Sequence, residues 1–220
     1  MGRMMLLVEG SDDSNAVFHL LRRYGLPIAE RRRSFPGRLT IEDGNGIERI
    51  LESLPLRIQT MIGEEPQPRL GLVLDADSYP DWRWHALCDR LLRAGYQTTP
   101  SVPVADGTLL IEDGKPIIGI WMMPDNQLPG ALEEFAQLLI PPNDHLWPRA
   151  IQAVQEIPLE DRRFGDNEMK AKMHTWLAWQ AEPGKPIGQA ITKHYLDPNA
   201  AVAQKFVAWV RRLFPMPVVE

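Results

Sequence analysis

The sequence predicts an α/β fold, in which a mostly parallel, Rossmann-like sheet is flanked by helices. Two strongly apolar runs, at residues 4–8 and 70–74, are each followed by a helix-like segment, and this order is typical of parallel sheets. Two further strand-like runs flank Asp113-Gly114, a turn signal that predicts an antiparallel hairpin. Beyond residue 140 the pattern is helical almost to the end, which predicts a helical C-terminal extension.

The first half of the chain alternates strands and helices. The predicted strands are at residues 4–8, 39–41 and 70–74, and the helices that follow them are at 13–24, 47–61 and 81–94. Gly25-Leu26-Pro27 ends the first helix, and Arg31-Arg32-Arg33 opens a polar connection to the second strand. Asn45-Gly46 turns the chain into the second helix, which we expect Pro55 to interrupt, and residues 63–68 form a loop.

The second half departs from this alternation. The hairpin strands are predicted at residues 108–112 and 117–122, before a helix at 129–140 with Pro129 in its first turn. Four more helices are predicted at 147–156, 167–180, 187–194 and 200–213. We therefore expect an α/β core at residues 1–140 and a helical extension at 141–220, packed together as one compact domain.

Composition limits the classes of function. The chain has 220 residues and a formal net charge of −5, so it lacks the positive charge expected of a strong autonomous nucleic-acid binder. Its single cysteine, Cys88, excludes an intrachain disulfide. We find no signal-peptide pattern and no long apolar span, so we expect a cytoplasmic protein that does not enter a membrane.

Carboxylates stand at the ends of both strongly apolar strands. Glu9 closes the first, and Asp75 and Asp77 close the third. Parallel strands bring their C-terminal ends to one edge of the sheet, where ligands bind. Carboxylates that converge there repel each other and raise each other's pKa values, unless a hard divalent cation neutralises them. The pattern therefore predicts a site for Mg²⁺ or Mn²⁺.

These motifs resemble the Toprim domain, the metal-binding fold of topoisomerases, DnaG-type primases and OLD-family nucleases. The matching residues are Glu9-Gly10 at the first strand end and Asp75 with Asp77 at the later one. Within that superfamily the chain is most similar to the OLD-type subgroup, because Glu9 and Asp13 match its Glu-x-x-x-Asp pattern. Gly130-Ala131-Leu132-Glu133 resembles the later acidic element of that subgroup.

The whole chain also resembles a family of short stand-alone Toprim-like proteins without assigned function. This likeness includes the segments at residues 121–126 and 174–180. It indicates kinship and no activity.

The OLD-type resemblance implies a metal-dependent nuclease acting on DNA or RNA, with one or two bound metal ions. The implied metal ligands are Glu9, Asp13, Asp75, Asp77 and Glu133. Glu9 is also a candidate general acid or base, and a late lysine would bind the phosphate. Lys170 and Lys172 are the candidates for that role, and we favour Lys172. OLD nucleases carry a fused ATPase, whereas this chain has no Walker A motif, so the resemblance implies a separately encoded ABC/AAA-type ATPase partner.

Each acidic motif also has a structural interpretation. Ser11 is a suitable N-cap, with Asp12 and Asp13 in the first helical turn, and Glu133 suits a first turn equally well. Asp75 and Asp77 are compatible with a polar turn.

The aromatic and histidine residues near the C-terminus have structural explanations too. His174 has no evident nucleophile to pair with, and the helically spaced rings predict core packing in preference to base stacking. These rings belong to Trp176, Trp179, Phe206 and Trp209.

Two other functions compete with the nuclease interpretation of the acidic motifs. A non-catalytic Toprim-like module that docks on an ATPase partner is the alternative to the nuclease. An Asp-x-Asp phosphatase of the HAD class is disfavoured, because its motif should continue to Thr or Val where Tyr79 stands.

Overall fold

The computed structural model describes residues 2–29 and 37–216. Its five-stranded sheet is mostly parallel and flanked by helices, which confirms the predicted fold class. The predicted connection at Arg31-Arg32-Arg33 lies outside the described residues. The strands are β1 (Met4–Val8), β2 (Thr40–Asp43), β3 (Arg69–Asp75), β4 (Thr108–Leu110) and β5 (Ile117–Met123).

Eight α-helices occur in the described ranges of the chain. They are α1 (Ser11–Arg23), α2 (Ile47–Gln59), α3 (Pro80–Arg93), α4 (Leu132–Gln137), α5 (Leu146–Gln155), α6 (Glu168–Ala178), α7 (Ile187–Thr192) and α8 (Ala201–Leu213). A short 3-10 helix, Leu159–Asp161, follows α5. None of the helices within these ranges is long and apolar enough to span a bilayer.

The strand order is β2-β1-β3-β5-β4. The four strands β2, β1, β3 and β5 are parallel neighbours, and β4 pairs with β5 in the antiparallel sense that the Asp113-Gly114 turn predicts. Val8 lies opposite Val73, and Asp75 lies opposite Met123. The C-terminal ends of β1, β3 and β5 therefore share one edge of the sheet.

The two faces of the sheet bury separate apolar clusters. Leu6 and Val8 of β1 pack with α1 and the C-terminal helices, whereas Met5 and Leu7 pack with α2 and α3. Successive side chains of a strand point to opposite faces, so a continuous apolar run is what a sheet covered on both faces requires.

The C-terminal helices share the core of the sheet. A Cβ on Gly119 would lie 2.3 Å from a Leu213 methyl carbon, so the glycine lets α8 approach the strand closely. Arg69 on β3 donates a 2.7 Å hydrogen bond to the Leu213 carbonyl. Trp176, Phe206 and Trp209 are fully buried, which confirms core packing for these rings, whereas Trp179 is 41% exposed.

Two predicted helices differ from the structure. The helix α2 is continuous through Pro55, so the predicted interruption is wrong. Proline removes one backbone hydrogen bond there, while Leu54 and Ile58 remain buried and hold the helix against the sheet. The helix predicted at 129–140 is only Leu132–Gln137, and it begins late because the backbone of Gly130 pairs with Asp77.

Candidate functional site

The two acidic strand ends meet at the C-terminal edge of the sheet. Glu9 directly follows β1, and Asp75 is the last residue of β3, the neighbouring parallel strand. The backbone N–H of Asp75 donates a 2.9 Å hydrogen bond to Glu9 Oε1. The structure therefore brings together the two carboxylates that the apolar runs predicted at one edge.

Asp13 joins them from the first turn of α1. Gly10 is the N-cap of this helix, so the interpretation of Ser11 as N-cap is wrong. The backbone N–H of Gly10 donates a 3.1 Å hydrogen bond to Asp13 Oδ2, which satisfies the N–H of the N-cap residue itself. Asp13 is nevertheless buried, with 8% of its surface exposed. It helps to cap the helix and faces the other carboxylates as well.

Asp77 lies in an unusual backbone conformation beside α4. Its φ is +51°, and its backbone exchanges two 2.9 Å hydrogen bonds with Gly130. Gly130 has a φ of +135°, and a Cβ there would lie 2.7 Å from the Glu134 side chain. Glycine is thus required at this position. Its pairing with Asp77 fixes the start of α4 at the site.

Two adjacent glutamates of α4 have different environments. Glu134 Oε2 accepts a 2.7 Å hydrogen bond from the Ala131 N–H and so caps the helix. Glu133 Oε1 lies 3.5 Å from Lys170 Nζ, and its side chain is only 14% exposed. Glu133 therefore lines the same cavity as Asp75 and Asp77.

The structure distinguishes the two late lysines. Lys170 lines the same cavity as Asp75, Asp77 and Glu133. Lys172 instead forms a 2.5 Å ion pair with Glu168, one turn earlier on α6. The sequence alone cannot distinguish these lysines, because they lie two residues apart on one helix. They differ in the direction of their side chains, which only the structure shows. His174 is exposed on the same helix.

Arg83 is a site residue that sequence reasoning missed. It is buried on α3, where its Nη2 forms an ion pair with Asp77 Oδ2. Its Nε has no hydrogen-bond partner within the described ranges. The available signal was an arginine on the inward, otherwise apolar face of α3, next to Trp84 and Leu87.

Burial and mutual repulsion raise the pKa values of three carboxyl groups. Burial, followed by the charges of Asp13 and Glu9, raises the pKa of Asp75 to about 9. Burial is also the main cause that raises the pKa of Glu9 to about 7 and the pKa of Asp13 to about 6. Asp75 Oδ1 is buried without a hydrogen-bond partner among the residues that the structure describes. In the metal-free protein, the neutral forms of these three carboxyl groups are therefore favoured over their charged forms.

An open cavity of about 630 Å³ adjoins this edge of the sheet. Its walls come from the end of β3, the start of α4 and the start of α6. The lining residues are Asp75, Asp77, Ser78, Pro129, Gly130, Ala131, Glu133, Glu134, Asp166, Asn167, Met169 and Lys170. The cavity is mainly polar and places one lysine opposite several carboxylates.

The donor chemistry of this edge fits a hard divalent cation. All the candidate ligands are carboxylate oxygens, which Mg²⁺ and Mn²⁺ prefer, and the unpartnered Asp75 oxygen is one of them. Among residues 2–29 and 37–216, no three His, Cys, Asp or Glu side chains are already arranged to hold a metal. Asp77 is turned to Arg83, and one oxygen each of Glu9 and Asp13 accepts a backbone hydrogen bond.

One protein family matches a region of the chain that includes the whole sheet and all of these candidate residues. A family model described as a protein of unknown function (DUF3226) matches residues 3–215. The chain belongs to this family. No curated protein and no solved structure gives a significant match. The DUF3226 description names no activity, and the chemistry of the carboxylate site is the remaining indication of function.

Proposed function

We propose that this DUF3226 protein is a Mg²⁺- or Mn²⁺-dependent nuclease that hydrolyses phosphodiester bonds of DNA or RNA in the cytoplasm. The observation that carries the proposal is the group of Glu9, Asp13 and Asp75 at one sheet edge. Their pKa values are raised, and Asp75 Oδ1 has no partner in the described structure. Buried charges of one sign cost stability, and a cation that binds between them removes that cost.

The resemblance to OLD-type Toprim nucleases supports the same function. It rests on Glu9 with Asp13, on Asp75 with Asp77, and on the element that contains Glu133. These three motifs are distant in the sequence, yet Glu133 and Asp13 are close enough to Asp75 to raise its pKa. Convergence of all three at one edge of the sheet is the arrangement that a common role requires.

The residues have separable roles in this mechanism. Glu9, Asp13, Asp75, Asp77 and Glu133 would hold the cation. When bound, the cation supplies Lewis-acid stabilisation of the phosphate charge and activation of water. Lys170, on the opposite wall, would orient the phosphate and stabilise the charge that develops on it. If the other carboxylates alone hold the cation, Glu9 would be free to accept or donate a proton, because its metal-free pKa is raised to about 7.

A non-catalytic module is the second candidate function. It is favoured by the ion pair between Asp77 and Arg83, because one candidate ligand already has a cationic partner from the protein. In either function we propose a separately encoded ABC/AAA-type ATPase as partner. A protein with a net charge of −5 attracts nucleic acid weakly, so a partner could load the substrate.

Cleavage of plasmid and single-stranded substrates tests the nuclease proposal. We expect cleavage with Mn²⁺ or Mg²⁺, none in EDTA, and a loss of at least about a hundredfold in Glu9→Gln, which keeps the shape but removes the charge. Lys170→Ala should also lose activity, and Lys172→Ala is its matched control on the same helix. Cleavage that persists in EDTA or in Glu9→Gln would contradict the mechanism.

The partner is tested by adding the product of a neighbouring ATPase gene and by pull-down from the native host. Cleavage that appears only with the ATPase supports a two-protein nuclease. ATPase binding without metal-dependent cleavage supports the non-catalytic module. Robust cleavage by the chain alone, with no ATPase recovered, would show an autonomous nuclease.

A further inference from the structure

Two large aromatic side chains are exposed beside the carboxylate cavity. Tyr79 is 76% exposed and Trp82 is 67% exposed, at the start of α3. Trp82 is the most exposed tryptophan of the chain, whereas Trp84, two residues later, is fully buried. Single exposed apolar side chains are common, but these two rings stand three residues apart and directly after Ser78, which lines the cavity.

A chain of contacts connects Trp82 with the cavity wall. Asp77 and Ser78 line the cavity. Arg83 forms an ion pair with Asp77, and its guanidinium carbon lies 6.0 Å from the centre of the Trp82 ring. Because Arg83 is buried, it holds the loop at Asp77 and the ring of Trp82 in a fixed relation. These contacts connect Trp82 with the rim of the candidate site, and Tyr79 directly follows Ser78 of the cavity wall.

The surroundings of the rings favour a flat, polar-edged ligand. The neighbouring exposed residues of the same turn are polar, namely Ser78, Asp81 and His85. A protein interface needs a larger continuous apolar centre than two rings among polar groups. Nucleobases, by contrast, stack on single aromatic side chains and keep their polar edges in water.

Charge also favours stacking as the source of affinity. The protein has a net charge of −5, and the cavity wall carries several carboxylates, so attraction to phosphate is weak. Stacking on an aromatic ring does not require net positive charge. It does require base faces that are free, and a duplex covers these faces.

We propose that Tyr79 and Trp82 form an aromatic platform that stacks unpaired bases of single-stranded DNA or RNA. The strand then continues so that a phosphate enters the cavity lined by Asp75 and Lys170. This second part rests on the proposed nuclease function. The platform itself is a binding site for bases and makes single-stranded nucleic acid the substrate class.

Binding of a fluorescent oligothymidylate in EDTA tests the platform without cleavage. We expect Trp82→Leu to weaken binding between about 5-fold and 100-fold, and Tyr79→Leu to weaken it in the same direction. Trp82→Phe keeps a ring and should retain most of the affinity. Trp179→Leu removes another exposed tryptophan, at the far end of α6, and should leave binding unchanged.

An abasic oligonucleotide of the same length tests the wild-type protein directly. It keeps the phosphates and lacks the bases, so the platform predicts much weaker binding and no quenching of tryptophan fluorescence. Equal binding of the abasic and normal strands, or unchanged binding in Trp82→Leu, would overturn the platform and favour a protein partner on this face. Failure of the wild-type protein to bind any single-stranded oligonucleotide would also overturn the platform.

The two proposals can fail separately. Base-dependent binding that needs Trp82, without metal-dependent cleavage, would retain the platform and overturn the nuclease. Metal-dependent cleavage with binding unchanged in both ring variants would retain the nuclease and overturn the platform.

Discussion

The carboxylates of the sheet edge contrast with those on the periphery of the molecule. At the periphery, hydrogen bonds from lysines lower the pKa values of Glu112, Glu168 and Glu182. The lysines are Lys115, Lys172 and Lys193. At the edge, burial and neighbouring charges raise the pKa values of Glu9, Asp13 and Asp75. The charged form of a carboxyl group is therefore stabilised at the periphery, whereas the neutral form is favoured at the sheet edge.

This difference indicates what each region is for. In the peripheral pairs each carboxylate has a lysine partner, so its charge needs no further explanation. A buried carboxylate without a paired cation costs stability, and such groups concentrate at functional sites. Lys170 and Arg83 are the cations near the edge, and they contact Glu133 and Asp77, not Asp75.

The largest effect that we expect is a dependence of stability on pH in EDTA. A carboxyl whose pKa is raised by folding binds more protons when folded, so stability falls as the pH rises towards the folded pKa. With pKa values of about 7 for Glu9 and about 9 for Asp75, we expect a loss of about 1 kcal/mol per pH unit between about pH 6.5 and 8.5. Urea unfolding at several pH values measures this slope.

The lysine-paired carboxylates provide the contrast within the same experiment. Their pKa values are lowered, so they are ionised in both the folded and the unfolded protein above pH 6.5 and contribute no slope there. A stability that stays flat or rises over this range would show that the edge carboxylates are not strained by burial. Added Mn²⁺ should flatten the slope by binding the ionised form.

The second prediction separates Asp75 from Asp77. Asn resembles the protonated acid, so Asp75→Asn removes the cost of protonating Asp75 on folding and should stabilise the metal-free protein by roughly 2 kcal/mol at about pH 8. Asp77→Asn should destabilise it, because Arg83 then loses its partner while buried. Thermal melting in EDTA measures both effects.

Metal titration of the same variants completes this test. Mn²⁺ should raise the melting temperature of the wild type, because a ligand that binds only the folded state stabilises it. The double variant Asp75→Asn with Asp77→Asn should lose this response. A full metal response in the double variant would place the cation elsewhere.

The smallest effect is expected at the periphery. Lys172→Ala breaks the partly exposed pair with Glu168 and should change thermal stability less than the Asp75 and Asp77 variants do. A large loss of stability in Lys172→Ala would mean that the contrast between the two regions is weaker than the geometry indicates. Lys193→Ala, which breaks the pair with Glu182, is a second peripheral control.

Much of the fold follows from local patterns. The apolar run at Met4–Val8 requires a strand covered on both faces, and Asp113-Gly114 allows the antiparallel pair of β4 and β5. The strand ends predicted the meeting of Glu9 and Asp75, because parallel strands share an edge. Helix boundaries were less predictable. Gly130 ends up in a bridge with Asp77 that no local pattern of residues 129–140 reveals.

The remaining parts of the site depend on contacts between distant segments. Lys170 and Lys172 are indistinguishable by spacing, and only the packing of α6 on α4 directs Lys170 to Glu133. Arg83 was missed because its role depends on the left-handed turn at Asp77. The exposure of Trp82 beside buried Trp84 was likewise invisible, since both are aromatic residues of one helix.

The sequence by itself determined the strands, most of the helices and the residue types at the C-terminal edge, because periodicity and apolar runs act over a few residues. Tertiary structure alone decided which carboxylates are buried without a cation and which are paired with lysine. It also decided which lysine lines the cavity. The physical reason is that burial, pKa and side-chain direction depend on neighbours from distant parts of the chain, and these neighbours are fixed only when the sheet and its helices pack together.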